Sequence, residues 1–338
     1  MTRIAVAIAL LLGCRGPDDA APAPAPARDP DPGEAQAAGA REALVGTVAP
    51  VGAADLLGGG RIDLQELIGR KPVYLKFWAT WCVPCREQMP HLEAAHRKHG
   101  DQIAFVAVNL GLNDSVAAVR EFQAEHQLTV PIAIDDGSLA ELFHVAVTPQ
   151  HILIDRAGVV RHVGHGATAE LDRALEALLD DDAAAAAPAP RPTPPPDAPL
   201  ALTLLDGSTF TLAAHRGRPV ALSFVKASCD TYLAESRPAM ARDCVAHAQA
   251  IEALRRTAPD VDWVSVAFPV WATSKTLVKY RARLGVSSPI GLDETGAWFH
   301  RFHVRDVPTT IFFDADGAEV ARVGGAGDDL PRALARLR

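Results

Sequence analysis

The chain is predicted to be α/β, built as two tandem domains, each a central mixed β-sheet flanked by helices. Three observations carry that prediction. Short continuous apolar runs, the mark of buried strands, alternate with helical patterns along both halves of the 338 residues. The second half repeats landmarks of the first in the same order. A stretch dominated by Ala and Pro, residues 181–197, separates the halves and reads as a semi-rigid spacer. The length suits two ordinary domains, and a net charge of −8 excludes nucleic acid and a polybasic membrane patch as partners.

The start of the chain reads as an export signal, residues 1–13: Arg3, the apolar run Ile4 to Leu12, then Leu11-Leu12-Gly13-Cys14. The run falls short of the ~20 residues that span a bilayer as a helix. Leu-Leu-Gly-Cys resembles the bacterial lipobox, which implies lipidation of Cys14 and a lipid anchor; an ordinary cleaved signal with an incidental cysteine is the alternative. Residues 14–43, rich in Ala, Pro, Asp and Gly, are expected to form a disordered tether. Export would place the thiols where disulfides persist.

The first domain is assigned to residues 44–180. Strand Val73–Trp78 leads into Trp81-Cys82-Val83-Pro84-Cys85 and a helix over Pro84–His99, which Pro90 should kink. Met89 and Leu92 face inward on that helix. A buried strand follows at Ile103–Val108. Next comes a helix from Ser115 to Gln127 with Val116, Val119 and Phe122 on one face. A short strand (Val130–Ile134), a short helix (Ser138–His144), strands at Gln150–Ile154 and Val159–Val163, and a helix at Thr168–Leu179 complete the unit.

Two cysteines three apart, where a buried strand turns into a helix, form a redox arrangement of the thioredoxin type. The free amides and dipole of a helix N-terminus stabilise a thiolate there. A zinc site would need a second ligand pair, and none follows at suitable spacing. A structural role is poorly suited to so short a ring. Taken with its flanks, F-W-A-T-W-C-V-P-C-R-x-x-M-P closely resembles the active-site stretch of TlpA/ResA-type thioredoxin-like thiol:disulfide oxidoreductases.

With the internal repeat, that resemblance makes the two tandem domains thioredoxin-like, the second divergent, and it implies a set of site residues. Cys82, as the more exposed cysteine, would attack and Cys85 would resolve. Trp81, Thr148 and Pro149 would bind substrate, with Pro149 in the cis form and the backbone before it pairing with an extended chain. The alternative for Pro149 is a plain strand start. Lys76 stands where cytoplasmic thioredoxins carry a buried acid, and it is expected to bury its stem while its ammonium reaches solvent. The glutamate that ResA-type proteins carry after Val-Asn-x-Gly is absent from Val108-Asn109-Leu110-Gly111-Leu112, so its role does not transfer.

In the second domain, residues 198–338, Arg218 to Cys229 matches Lys71 to Cys82, and Phe302 to Ile311 matches Phe143 to Ile152. Pro308 matches Pro149 as a second cis-proline candidate. Tyr232 occupies the place of Cys85. The interval from cysteine to proline is 67 residues in the first copy and 79 in the second, and the extra segment carries Cys244. Cys229 and Cys244 leave three readings open: a structural disulfide, a second redox pair trading electrons with Cys82–Cys85, or a metal site with His247, as in copper-carrying thioredoxin-like proteins. His247 alone reads as a surface histidine, and His300 and His303 as helix surface and core edge.

The function expected is reduction of protein disulfides in a bacterial cell envelope or periplasm, with no cofactor beyond the redox disulfide and no metal. A membrane thiol-electron donor is implied by the resemblance, and reduction of apocytochrome cysteines (cytochrome c maturation) is one family role. Net oxidation or isomerisation, and a metal-carrying module, are the alternatives.

Overall fold

The computed structural model describes residues 31–179, 199–325 and 329–337. The signal segment, Cys14 and the spacer at 181–197 lie outside the described residues. From Pro32 onward the described residues form one compact unit holding a seven-stranded, a five-stranded and a two-stranded sheet.

The first lobe opens with α1 (Pro32–Leu44), then β1 (Ala53–Leu56), β2 (Arg61–Asp63), α2 (Leu64–Leu67) and β3 (Val73–Trp78). It continues with α3 (Val83–Glu87), α4 (Met89–His99), β4 (Ala104–Asn109), α5 (Val116–Glu125), β5 (Ile132–Ile134), α6 (Ser138–Leu142), β6 (Gln150–Ile154), β7 (Val160–Gly164) and α7 (Ala169–Leu179). Its seven strands run in the order β2-β1-β5-β4-β3-β6-β7. The core of the sheet, β5-β4-β3, is parallel, and β6, β7, β1 and β2 are antiparallel additions, which makes the sheet mixed. All six residues of β3 are buried, as a central strand covered on both faces requires. Val73, Leu75 and Phe77 face one apolar cluster, while Tyr74 and Trp78 face the other with Cys82 and Cys85.

The second lobe repeats this plan. A hairpin of β8 (Leu202–Thr203) and β9 (Thr209–Phe210) precedes β10 (Val220–Val225), α8 (Cys229–Tyr232), α9 (Pro238–Thr257) and β11 (Asp262–Ala267). Then come α10 (Ser274–Leu284), β12 (Ile290–Leu292), α11 (Ala297–Arg301), β13 (Thr309–Phe313), β14 (Glu319–Gly324) and α12 (Asp329–Ala335). The order β12-β11-β10-β13-β14 is that of β5-β4-β3-β6-β7. The bridge of Leu204 to Gly291 ties the hairpin to β12 as β1 is tied to β5. In both lobes an Asp-x-x-Gly turn joins the last two strands, and Gly158 and Gly317 take φ of 84° and 83°, where a side chain would strain the backbone. One apolar cluster runs continuously through both lobes, from Phe77 and Phe143 to Phe224 and Phe299.

Three expectations need correction. Residues 32–43 are not tether: Pro32–Leu44 is helical. Ala37, Ala40 and Leu44 are buried on one stripe, and no proline interrupts the chain between Pro32 and Pro50. Glu34 locks the helix down by accepting from the amides of His165 and Gly166 at 2.8 Å each, and Arg41 donates to the Val163 carbonyl at 2.7 Å. Next, the helix expected over Pro84–His99 is divided at Gln88 rather than merely kinked, because Pro90 cannot donate into the preceding turn. Finally, Val116 sits at the helix start and is 47% exposed, leaving Val119 and Phe122 as the buried face of α5.

Candidate active site

The site is assembled at one end of the first sheet, where β3 stops. Cys82 takes an extended backbone and caps α3, its Sγ accepting from the Cys85 amide at 3.2 Å. Pro84 sits in the first turn, where its missing N–H costs nothing. Cys82 and Cys85 are joined as a disulfide with Cα atoms 5.2 Å apart. The register Phe77↔Gln150 brings the loop before β6 to the same end of the sheet. Thr148–Pro149 in that loop is cis, as is Val307–Pro308 in the second lobe. Trp81 is fixed over the site by its indole N–H, which donates to the Leu112 carbonyl at 2.8 Å. Trp78 packs on Phe122, with ring centroids 4.8 Å apart.

Beneath the cysteines lies a buried polar chain. Tyr74 Oη meets His151 Nδ1 at 2.8 Å, and His151 Nε2 meets Gln88 Oε1 at 2.8 Å. The amide oxygen can only accept, so Nε2 carries the proton and Nδ1 accepts from the tyrosine. Burial and the neighbouring Lys76 hold His151 well below the ordinary histidine range, in keeping with this neutral form. His165 Nδ1 lies 2.7 Å from the Pro149 carbonyl and so bears a proton.

Lys76 corrects the expectation of a solvent-reaching ammonium. It is fully buried, directly opposite His151 in the strand pairing. Its Nζ has no hydrogen-bond partner, and burial lowers its pKa to about 7. Strand alternation places it on the sheet face shared by Tyr74, Trp78 and the cysteine cluster, which the helices of the lobe close off from water.

The second lobe completes the site, and this was not legible from the first lobe's motif. Lys226, buried and with its pKa lowered to about 8 by burial, places Nζ 4.7 Å from the Trp81 ring centroid, a cation–π contact. Tyr232 meets Trp81 edge-on at 6.4 Å, and its hydroxyl accepts from the Val83 amide at 3.0 Å. Arg237 donates to the Asn113 carbonyl at 2.7 Å and the Thr80 hydroxyl at 2.6 Å, and pairs with Asp114 at 3.1 Å. The Trp271 indole donates to the Thr148 carbonyl at 3.1 Å. With these groups in place Cys82 is 0% exposed, no more open than Cys85, contrary to the ordering expected of the pair. The one sequence signal for this face is Tyr232 itself, a large side chain in the position of a cysteine.

Cys229 heads α8 and is bonded to Cys244 of α9, with Cα atoms 6.2 Å apart. The two therefore pin the inserted segment to the helix start. His247 is buried rather than superficial: Nδ1 lies 2.7 Å from the Gly325 carbonyl and Nε2 3.0 Å from the Thr310 hydroxyl. Both ring nitrogens are thus engaged away from Cys244, and among the described residues no cluster of three or more His, Cys, Asp or Glu side chains is arranged to hold a metal. His300 pairs with Glu141 across the lobes at 2.7 Å.

A cystine capping a helix that follows a buried parallel strand, next to a cis-proline loop, defines a thioredoxin-like dithiol/disulfide centre. Comparison with known proteins agrees. Residues 45–163 match the AhpC/TSA family. The thioredoxin-like protein YneN of Bacillus subtilis is 37% identical over 134 residues, covering 39% of this chain and 78% of YneN. The thiol-disulfide oxidoreductase ResA of Bacillus cereus is 31% identical over 137 residues, covering 40% of this chain and 78% of ResA. Among solved structures, StoA of Bacillus subtilis is 26% identical and covers 38% of this chain and 97% of its own, with a TM-score of 0.34. The chain belongs to the thioredoxin-like thiol-disulfide oxidoreductases.

Proposed function

We propose that the protein is an exported reductase of protein disulfides, working through a Cys82–Cys85 dithiol/disulfide cycle. The observation that carries this reading is the Cys82–Cys85 cystine at the N-terminus of α3. In the reduced form the Cys82 thiolate attacks a substrate disulfide. A Cys82–substrate disulfide forms, and the other substrate sulfur leaves as a thiolate and is protonated. The Cys85 thiolate then attacks Cys82, restoring the Cys82–Cys85 disulfide and releasing the second substrate thiol. Two electrons have passed to the substrate. The carbonyls before Pro149 and the indole of Trp81 hold the substrate segment, and the free amides of α3 favour the thiolate of Cys82.

Continuous turnover needs a dithiol donor; the proposal assigns this to a membrane thiol-electron carrier, with the redox disulfide as the only prosthetic chemistry. Export, a Cys14 lipid anchor and a periplasmic or cell-envelope location rest on Leu11-Leu12-Gly13-Cys14. Among the described residues no helix is long and apolar enough to cross a membrane. Cytochrome c maturation is one role open to such a reductase. Cys229–Cys244 is assigned a structural part, as a cross-link holding the insert of the second lobe.

The test is reduction of insulin disulfides with dithiothreitol as the electron source. Cys82→Ser should abolish turnover, while Cys85→Ser, reduced and then freed of dithiothreitol before insulin is added, should hold substrate covalently on Cys82. Undiminished turnover in Cys82→Ser would refute the assignment.

A further inference from the structure

The contacts between the lobes obey a local two-fold rule. Asn113 and Trp271 stand at matched positions, four residues beyond the ends of β4 and β11, and both take left-handed backbone angles, with φ of 54° and 61°. The Asn113 amide donates to the Arg305 carbonyl at 2.7 Å, and the Trp271 amide donates to the Ala146 carbonyl at 2.9 Å. Ala146 and Arg305 are themselves matched, each three residues before a cis proline. The Asn113 side chain then accepts from Val307 at 2.8 Å, while the Trp271 side chain donates to Thr148 at 3.1 Å. Glu141 and His300, also matched, meet each other. Reciprocity of this kind is the signature of a self-complementary interface, here built within one chain.

The face so buried is the one the proposed reaction needs. The carbonyl of Thr148, next to the cis proline, is taken by Trp271; the first helix amide, Val83 N–H, is taken by Tyr232; Trp81 is enclosed by Lys226 and Tyr232; Cys82 is sealed from water. Each of these partners comes from the second lobe. An extended polypeptide laid along the loop would offer the same chemistry, with amides for the Ala146 and Thr148 carbonyls and a carbonyl for the Val83 amide.

Accepting the redox role of Cys82, we propose that the second lobe is the resident occupant of the first lobe's substrate face, an internal competitor that an extended cysteine-bearing polypeptide displaces before Cys82 reacts. The geometry selects against compact disulfides, because the incoming chain must satisfy a row of backbone groups to unseat Trp271 and Tyr232. Arg237 is the strongest latch, since its guanidinium bonds Asn113, Thr80 and Asp114 together.

The experiment uses the full chain, reduced with dithiothreitol and freed of it, and follows alkylation of Cys82 by iodoacetamide, resolved by peptide mass. Loss of the four interlobe hydrogen bonds made by the Arg237 and Trp271 side chains in Arg237→Ala with Trp271→Ala should speed Cys82 labelling by about tenfold or more, and Tyr232→Phe by less. A second measurement avoids the latch variants. Cys85→Ser is coupled at Cys82 to an extended cysteine peptide activated as its thionitrobenzoate disulfide, the thiolate displacing thionitrobenzoate. Amide exchange at Trp271 should then rise in the adduct relative to the uncoupled protein. Labelling at one rate in all forms, with exchange at Trp271 unchanged in the adduct, overturns the inference and leaves the redox role standing. A Cys82 inert to disulfides in parent and latch variants alike would end both. Appearance of Cys229 and Cys244 thiols as Cys82–Cys85 reoxidises would instead make the second lobe a redox partner and overturn its role as competitor.

Discussion

Lys76 is the residue at which local sequence and tertiary setting disagree most. An ammonium in a closed, apolar layer without a partner carries a large desolvation penalty, which its lowered pKa of about 7 expresses. The sign of the pH dependence follows. Well above the ordinary lysine value both folded and unfolded chains are neutral here. As pH falls towards 7 the unfolded chain binds a proton that the folded one refuses, so the penalty grows and levels off below that point. Lys76→Met should therefore stabilise the protein by on the order of 2 kcal/mol at neutral pH, with little gain above about pH 11. Thermal melts of the two forms across that range would check it. From sequence, Cys82 and Cys85 were legible because spacing and strand-to-helix context need no distant information. Lys76 was not, since a lysine between Leu75 and Phe77 reads as a snorkelling side chain until the covering helices are known. His247 misled in the same way: its partners Thr310 and Gly325 lie far along the chain.

At the scale of elements, α1 is the main departure from expectation. Its alanines were read with the Ala/Pro stretch before it, although Ala favours tether only when prolines keep it extended, and favours helix otherwise. Its anchor is Glu34. Burial works against that carboxylate, but the Gly166 and His165 amides and Arg41 prevail and hold it below the usual range. Glu34→Ala would leave two amides unpaired and should lower stability by about 1–3 kcal/mol in urea titration. A shift of less than a few tenths of a kcal/mol would mean that α1 is not fastened to the lobe this way. The pair of α6 and α11 offers a pH test. The Glu141 hydrogen bond, working against burial, raises the pKa of His300, with Asp136 and Asp135 adding to it. A raised histidine pKa contributes stability that is complete below the unfolded value and is lost as pH rises through the folded one. His300→Gln should thus lower Tm at about pH 6 and leave it near the parent's by about pH 9. From Val73 onward the strands and helices of the first lobe were legible because apolar runs and turn residues mark them locally; apart from the division at Gln88, their ends differ from expectation by a residue or two, as fraying ends do.

For the whole molecule, the sequence disclosed the duplication but not its consequence. Matched landmarks such as Pro149 and Pro308 reveal two copies; nothing in them tells that the copies face each other through the ends that carry Cys82 and Cys229. The contacts that say so, Trp271 with Ala146 and Asn113 with Arg305, join residues whose types carry no pairing signal. As a structural cross-link over a sequence separation of 15, Cys229–Cys244 should contribute ~3 kcal/mol to folding by loop-closure entropy. Cys229→Ser with Cys244→Ser should lower Tm accordingly while leaving Cys82-dependent insulin reduction intact. Loss of turnover at unchanged fold would assign the pair to the reaction instead. The central claim, that Cys82–Cys85 is a reducing couple and Cys229–Cys244 is not part of it, is tested most directly by thiol trapping of the purified protein across a graded redox buffer. The account predicts that Cys82–Cys85 titrates near about −250 mV while Cys229–Cys244 stays oxidised to below roughly −300 mV. A Cys82–Cys85 potential near about −120 mV, or two pairs titrating together, would contradict it.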